Sequence, residues 1–466
     1  MRILIPLLAA VALLFAPKAS ELQNALISQT SAQELKQPAK SAGYLEAMAQ
    51  WEPWRTGLWQ QAGSLALRSG DPTLAIADLE TAKNLNQLDD AGWLTLGEAY
   101  WAVQRWDDAV KTWSPLMEQH RAPVEIYQRA VNLRLLTGWV EEAARWAGAW
   151  WATFPQDGRA AYMLGLSSLP FDEAGAKTAL EAASALDPSW SANVAILTQA
   201  IDKPGLDAPQ ESRLVESGRA LGSIGEWSLA LVVFEKARSV NPQYAPAWAF
   251  ASEAKQQLHQ DGNPDLEKAL ALAPDSPVIQ ALAAVNYRRQ GDPTQALERF
   301  TQASRLEPNR AIWQIEIGNT YADLHNIQKG LEYYNAAQGI DPENPVVWRL
   351  TAQYCLNNDL QIREAALPAA RQAVNLAPKD AANLDVLGQV MVALQDDISA
   401  ERFLQQAIDI DQDFALARLH LAQLYLRQGR LDWARYHLAI AARAVGQETE
   451  ANLMAKRLLA RYFDAP

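Results

Sequence analysis

The sequence predicts an all-α solenoid, a stack of antiparallel helix pairs with about eleven repeats of thirty-four residues and a C-terminal capping helix. Three observations carry that expectation. Trp59-Gln60-Gln61-Ala62-Gly63 recurs in kind as Trp93-Leu94-Thr95-Leu96-Gly97, thirty-four residues later. Small residues hold fixed places in nearly every following frame. Prolines fall repeatedly at the frame's end.

In chain order, the N-terminus comes first. A short basic start, Met1-Arg2, precedes an uncharged apolar run from Ile3 to Ala16 and then Pro17-Lys18-Ala19-Ser20. Residues 1–19 therefore read as a secretion signal. The run of about fourteen apolar residues falls short of the roughly twenty that a spanning helix needs. Pro17 stands where cleavage after Ala19 favours a small residue, so a short uncleaved anchor is the alternative. Residues 20–55 hold a spacer rich in Ala, Gln and Ser and then a helix fragment around Tyr44 to Gln50, ended by Pro53, that can cap the first repeat.

The repeats follow, beginning near residues 56, 90, 124, 158, 211, 245, 277, 311, 345, 381 and 415. Position 8 of each is small: Gly63, Gly97, Gly165, Gly218, Ser252, Ala284, Gly318, Ala352, Gly388 and Ala422, with Val131 the exception. Two helices approach closely only where the facing side chains are small and larger ones fill the space beside them. Phe234, Phe300, Tyr334, Leu404 and Leu438 at position 24 are the expected fillers. Gly70, Gly138, Gly225, Gly291 and Gly429 mark the turn between the two helices. Pro155, Pro188, Pro242, Pro274, Pro308, Pro342 and Pro378 mark the exit. The ninth repeat is two residues long and carries Pro368, which predicts a kink in its second helix. Two prolines and a glycine in residues 202–210 predict a linker between a first sub-array of four repeats, 56–201, and a second of seven, 211–448. Residues 449–466 complete the chain as a capping helix with Leu453, Met454, Leu458 and Leu459 on its apolar side.

This register of small, filler and proline positions resembles the tetratricopeptide repeat family from about Thr56 to about Glu448. The resemblance implies a right-handed superhelix that binds proteins or peptides and does no chemistry. It also implies that first-helix positions 2, 5, 9 and 12 line a concave surface. Position 9 carries Arg219, Glu253, Val285, Asn319, Gln353, Gln389 and Gln423, so four consecutive copies present an amide. Amides offer both donor and acceptor and suit a peptide main chain. Arg349 at position 5, Arg288 and Arg289 at positions 12 and 13, and Arg427 add positive charge. The expected groove is therefore Arg219, Arg288, Asn319, Arg349, Gln353, Gln389, Gln423 and Arg427, holding an extended acidic segment. The family's carboxylate clamp is not complete in this sequence.

Composition narrows the remaining functions. Lys plus Arg number 41 against 54 Asp plus Glu, a net charge of −13, which argues against a nucleic-acid partner. The single cysteine, Cys355, excludes an internal disulfide and a thiolate zinc site. No phosphate-binding glycine loop, nucleophile elbow or zinc-protease motif is present, and the five histidines are scattered, so no catalytic, metal or cofactor site is expected. Trp139, Trp146, Trp150 and Trp151 crowd the third repeat. They read as a repacked hairpin or as an aromatic patch for a sugar-bearing ligand. The expected function is a non-catalytic protein-binding scaffold, exported across the cytoplasmic membrane or anchored to it by the N-terminal segment. The alternative is a substrate-handling module of envelope glycan synthesis or export.

Overall fold

The computed structural model describes residues 37–463 except 53, 204, 206 and 444–449. The signal or anchor expected at residues 1–19, and the spacer up to residue 36, lie outside the described residues. Among the described residues there are twenty-five α-helices and no strand. The chain divides into two compact units, residues 1–236 and 237–466, the division falling within one helix.

Unit 1 opens with α1 (Pro38–Trp51), followed by the pairs α2 (Leu58–Arg68) and α3 (Pro72–Asn84), α4 (Asp90–Ala102) and α5 (Trp106–Glu118), α6 (Val124–Leu136) and α7 (Val140–Thr153), and α8 (Gly158–Ser168) and α9 (Glu173–Leu186). A single helix, α10 (Ser191–Asp202), precedes the pair α11 (Gln210–Ser223) and α12 (Trp227–Val240), in which the unit ends. Asp71, Asp89, Asp157 and Asp172 start α3, α4, α8 and α9 by accepting first-turn backbone N–H groups. The small residue at position 8 meets the filler at position 24. A Cβ on Gly63 would stand 2.6 Å from Leu79 Cγ, and one on Gly165 2.6 Å from Leu180 Cγ. On Gly97 and Gly218 it would collide with the rings of Trp113 and Phe234. α1 covers the open end of the first pair, burying Leu45, Met48 and Ala49 against Leu58 and Ala62.

The helices on either side of the expected linker are joined by packing. α10 touches both α9 and α11. Arg213 of α11 reaches back to Glu173 at 3.0 Å and to the Ala208 carbonyl at 2.8 Å. A helix that belongs to no pair thus joins the pairs before and after it.

Unit 2 continues with α13 (Ala245–Gln257) and α14 (Asn263–Leu272), α15 (Pro277–Arg289) and α16 (Pro293–Leu306), α17 (Ala311–Asp323) and α18 (Ile327–Ile340), and α19 (Pro345–Asn357) and α20 (Leu367–Leu376). The pairs α21 (Ala381–Ala393) with α22 (Asp397–Ile410) and α23 (Ala415–Arg427) with α24 (Leu431–Ala441) precede α25 (Glu450–Tyr462). Gly318 faces Tyr334 and Gly388 faces Leu404 in the same way as in unit 1, a Cβ standing 2.8 Å and 2.7 Å away. Gly291 and Gly429 close their first helices at φ of 78° and 73°. His325 and Gln395 hold the same slot at 57° and 63°, so the hairpin imposes the left-handed turn whether or not glycine is there. α25 buries Ala451 and Ala455 against Leu419, Ala422, Leu438 and Ala441, while Leu453 turns outward.

The ninth repeat absorbs its extra residues at one place. Asp359 and Gln361 are left-handed, at φ of 48° and 46°, and Ile362–Ala366 form a π turn in which the Ala366 N–H reaches the Gln361 carbonyl at 3.2 Å. Pro368 then lies in the first turn of α20, where its missing N–H leaves no bond unmade. The expected irregularity is a wider turn ahead of the proline.

Candidate functional site

Neighbouring hairpins are tied together by charge, in several places from first helix to first helix. In unit 1 Arg121 pairs with Asp90 at 2.6 Å and Arg129 with Glu98 at 2.7 Å. Arg134, almost wholly buried, bridges Asp107 at 2.5 Å and Glu142 at 2.8 Å. In unit 2 Arg289 pairs with Glu253 at 2.6 Å, and Arg288 with Glu316 at 3.2 Å and Asp323 at 2.7 Å. His420 Nδ1 lies 2.7 Å from Asp385 Oδ1, and Arg430 2.9 Å from Glu401. Each exposed pair contributes only about 0–1 kcal/mol to stability. Their larger effect is on recognition, because a paired guanidinium is poorly available to a ligand.

The residues expected to form a groove are placed accordingly. Arg219 is exposed and bonded to Glu216 at 2.7 Å. Arg427 is paired with Asp397, and Arg288 is engaged as above. Asn319 Oδ1 accepts from the Tyr334 hydroxyl at 2.6 Å, Gln353 Nε2 donates to Asn357 at 3.0 Å, and Gln389 Nε2 donates to Asp385 at 2.9 Å. Half of each amide is therefore engaged. Asn319 Nδ2 and the Oε1 atoms of Gln353 and Gln389 stay unbonded; Gln423 is exposed. Arg349 differs from the other arginines of this set. Its Nε is buried without an acceptor, and it sits one helical turn before Gln353 on α19, which packs against α21.

The aromatic patch needs correction. Trp146 and Trp150 are buried, with their Nε1 atoms donating to Glu142 at 3.2 Å and Asp157 at 3.0 Å. Trp150 stands where other repeats have fully buried Ala82, Ala237 and Ala303, so the register itself signalled that its ring enters the core. Trp151 is half-buried and donates to the Pro155 carbonyl at 3.3 Å. Trp139 alone of the four is mainly exposed, at 64%. The four rings form no common surface.

Cys355 is buried and desolvation pushes its thiol up to about 11, which suits a packed residue and not a nucleophile. His120, His259 and His325 occupy left-handed turns at φ of 57°, 58° and 57°. His437 is buried, and desolvation, helped by Arg418, pulls it down to about 4. Among the described residues no group of three or more His, Cys, Asp or Glu side chains is placed to hold a metal ion. No helix among them is long and apolar enough to cross a membrane.

A sequence-family model described as Tetratricopeptide repeat matches residues 61–114 and 282–345. No curated protein matches the chain. Among solved structures, yeast Tom70 is 15% identical, with 95% of this chain and 96% of that one aligned at a TM-score of 0.46. The Cut9–Hcn1 hetero-tetramer of the APC/C is also 15% identical, over 95% of this chain and 96% of that one, at 0.39. MamA of Desulfovibrio magneticus RS-1 is 21% identical over 35% of this chain and 92% of its own, at 0.30.

Proposed function

We propose, on the premise of the tetratricopeptide repeats matched at residues 61–114 and 282–345, that the chain is a non-catalytic scaffold whose second unit holds an extended, acidic segment of a partner protein. Repeats of this kind commonly mediate protein–protein interaction. The observation that carries the finer reading is Arg349, a guanidinium with a buried Nε and no acceptor on a face where the neighbouring arginines are already paired. Arg349 is half-buried and has no acidic partner among the described residues, so a carboxylate from a bound segment would give its guanidinium a charge-assisted bond. The free Asn319 Nδ2 and the Oε1 atoms of Gln353 and Gln389 supply one donor and two acceptors for the segment's main chain.

The test is binding of acidic and neutral extended peptide libraries to the full chain and to Arg349→Glu. Acidic peptides should bind the native chain and lose about tenfold or more with the variant, whereas neutral ones should change little. Unchanged capture of acidic peptides by Arg349→Glu, and by a chain with Asn319, Gln353 and Gln389 all replaced by Ala, would discard the reading. For location we propose export, resting on the apolar run Ile3 to Ala16. A mature protein that still begins at Met1 would rule out cleavage and leave the anchor.

A further inference from the structure

The repeat of α13 and α14 departs from its neighbours. Its turn runs over residues 258–262, where the next two repeats use only 290–292 and 324–326, and α14 has ten residues against fourteen in α16 and α18. The first turn of the second helix is in effect missing. What it leaves is a cleft of about 570 Å³ in which six of the ten lining residues are amides, Gln256, Gln257, Gln260, Asn263, Asn286 and Gln290, and His259, Asp261, Gly262 and Arg289 complete the wall. That volume lies in the range of small-molecule sites, about 300–1,000 Å³.

The amides are held in place by one another. Asn286, buried, donates to Asn263 Oδ1 at 2.8 Å, and Gln290 Nε2 donates to the same oxygen at 2.9 Å and to Asn286 Oδ1 at 3.0 Å. Gln257 Nε2 donates to Glu253 at 2.9 Å. Asn263 Nδ2 remains as a free donor, the Oε1 atoms of Gln257 and Gln290 as free acceptors, and exposed Gln260 offers both. The formal charges beside them are engaged: Arg289 pairs with Glu253, and Asp261 accepts the Asn263 backbone N–H at 3.0 Å. None of the lining side chains is aliphatic. A set of fixed donors and acceptors without an unpaired arginine or an apolar wall suits neither an anion nor a greasy ligand.

We propose that this notch binds a neutral polyhydroxylated ligand, a saccharide of one or two rings, whose hydroxyls each serve as donor and acceptor. The proposal uses none of Arg349, Asn319, Gln353 and Gln389 and stands whether or not that face binds peptide. It is tested on the full chain by ligand-observed NMR with maltose, cellobiose and N,N′-diacetylchitobiose, with glucuronate and glucosamine as charged comparators. At least one neutral sugar should bind. Asn263→Asp keeps the oxygen that the network needs and loses the free donor, and should weaken binding about tenfold. Gln260→Ala, at an exposed side chain outside the network, should also weaken it and decides the matter if the first variant folds poorly. Absence of binding by all three sugars, equal binding by both variants, or tighter binding of the charged comparators overturns the proposal.

Discussion

At the scale of single residues, the contact between position 8 and position 24 is the most demanding feature of the chain. Gly97 lies directly under the indole of Trp113, which is fully buried and donates from Nε1 to the Leu94 carbonyl at 3.2 Å. Any Cβ at residue 97 must push that ring or separate α4 from α5. Gly97→Ala should therefore destabilise unit 1 by about 1–3 kcal/mol in chemical denaturation, against the small gain that alanine gives an unconstrained helix. This pairing was legible in the sequence because both partners lie in one repeat at a constant offset. Glu253 with Arg289, and Arg288 with Glu316 and Asp323, were not, since each pair joins two repeats and depends on how one hairpin is rotated against the next. Of the two readings of the crowded tryptophans, the burial of Trp146 and Trp150 agrees with the repacked hairpin, which the register of Trp150 already indicated.

At the scale of elements, an acid on α1 acts on an acid of α3. Asp78 of α3 is 3% exposed, with Oδ2 unpartnered, and Glu46 of α1 likewise has a buried Oε1 without a partner. Burial, then the charges of Glu46 and Asp71, raise the Asp78 carboxyl from 3.8 to about 7. The folded state holds this proton more tightly than the unfolded chain. The stability it lends is complete below the unfolded value of 3.8 and is lost as the pH rises through about 7. Asp78→Asn should flatten that slope and raise stability near pH 8 by about 1–3 kcal/mol, read from urea unfolding at acidic and alkaline pH. An unchanged slope would assign the pH dependence to other groups. The start of nearly every first helix was legible, from 90 and 124 through 381 and 415, because capping residues, prolines and small positions agree. The short sixth repeat was legible in the spacing of its neighbours' starts, 245 and 277, but its cleft was not, since a deletion of two residues names no side chain that must line the resulting space.

At the scale of the whole chain, regularity survives local error. The ninth repeat brings two surplus residues, and a left-handed pair followed by the π turn at Ile362–Ala366 takes them up before α20 begins. Downstream, Gly388 still faces Leu404, and Ala422 still packs in one cluster with Leu438. The repeat thus behaves like a signal whose phase is reset at every hairpin, so that a slip in one period is not inherited by the next. Such a chain can gain or lose residues at its turns, and vary the surfaces those turns present, while the spacing of its core stays in step.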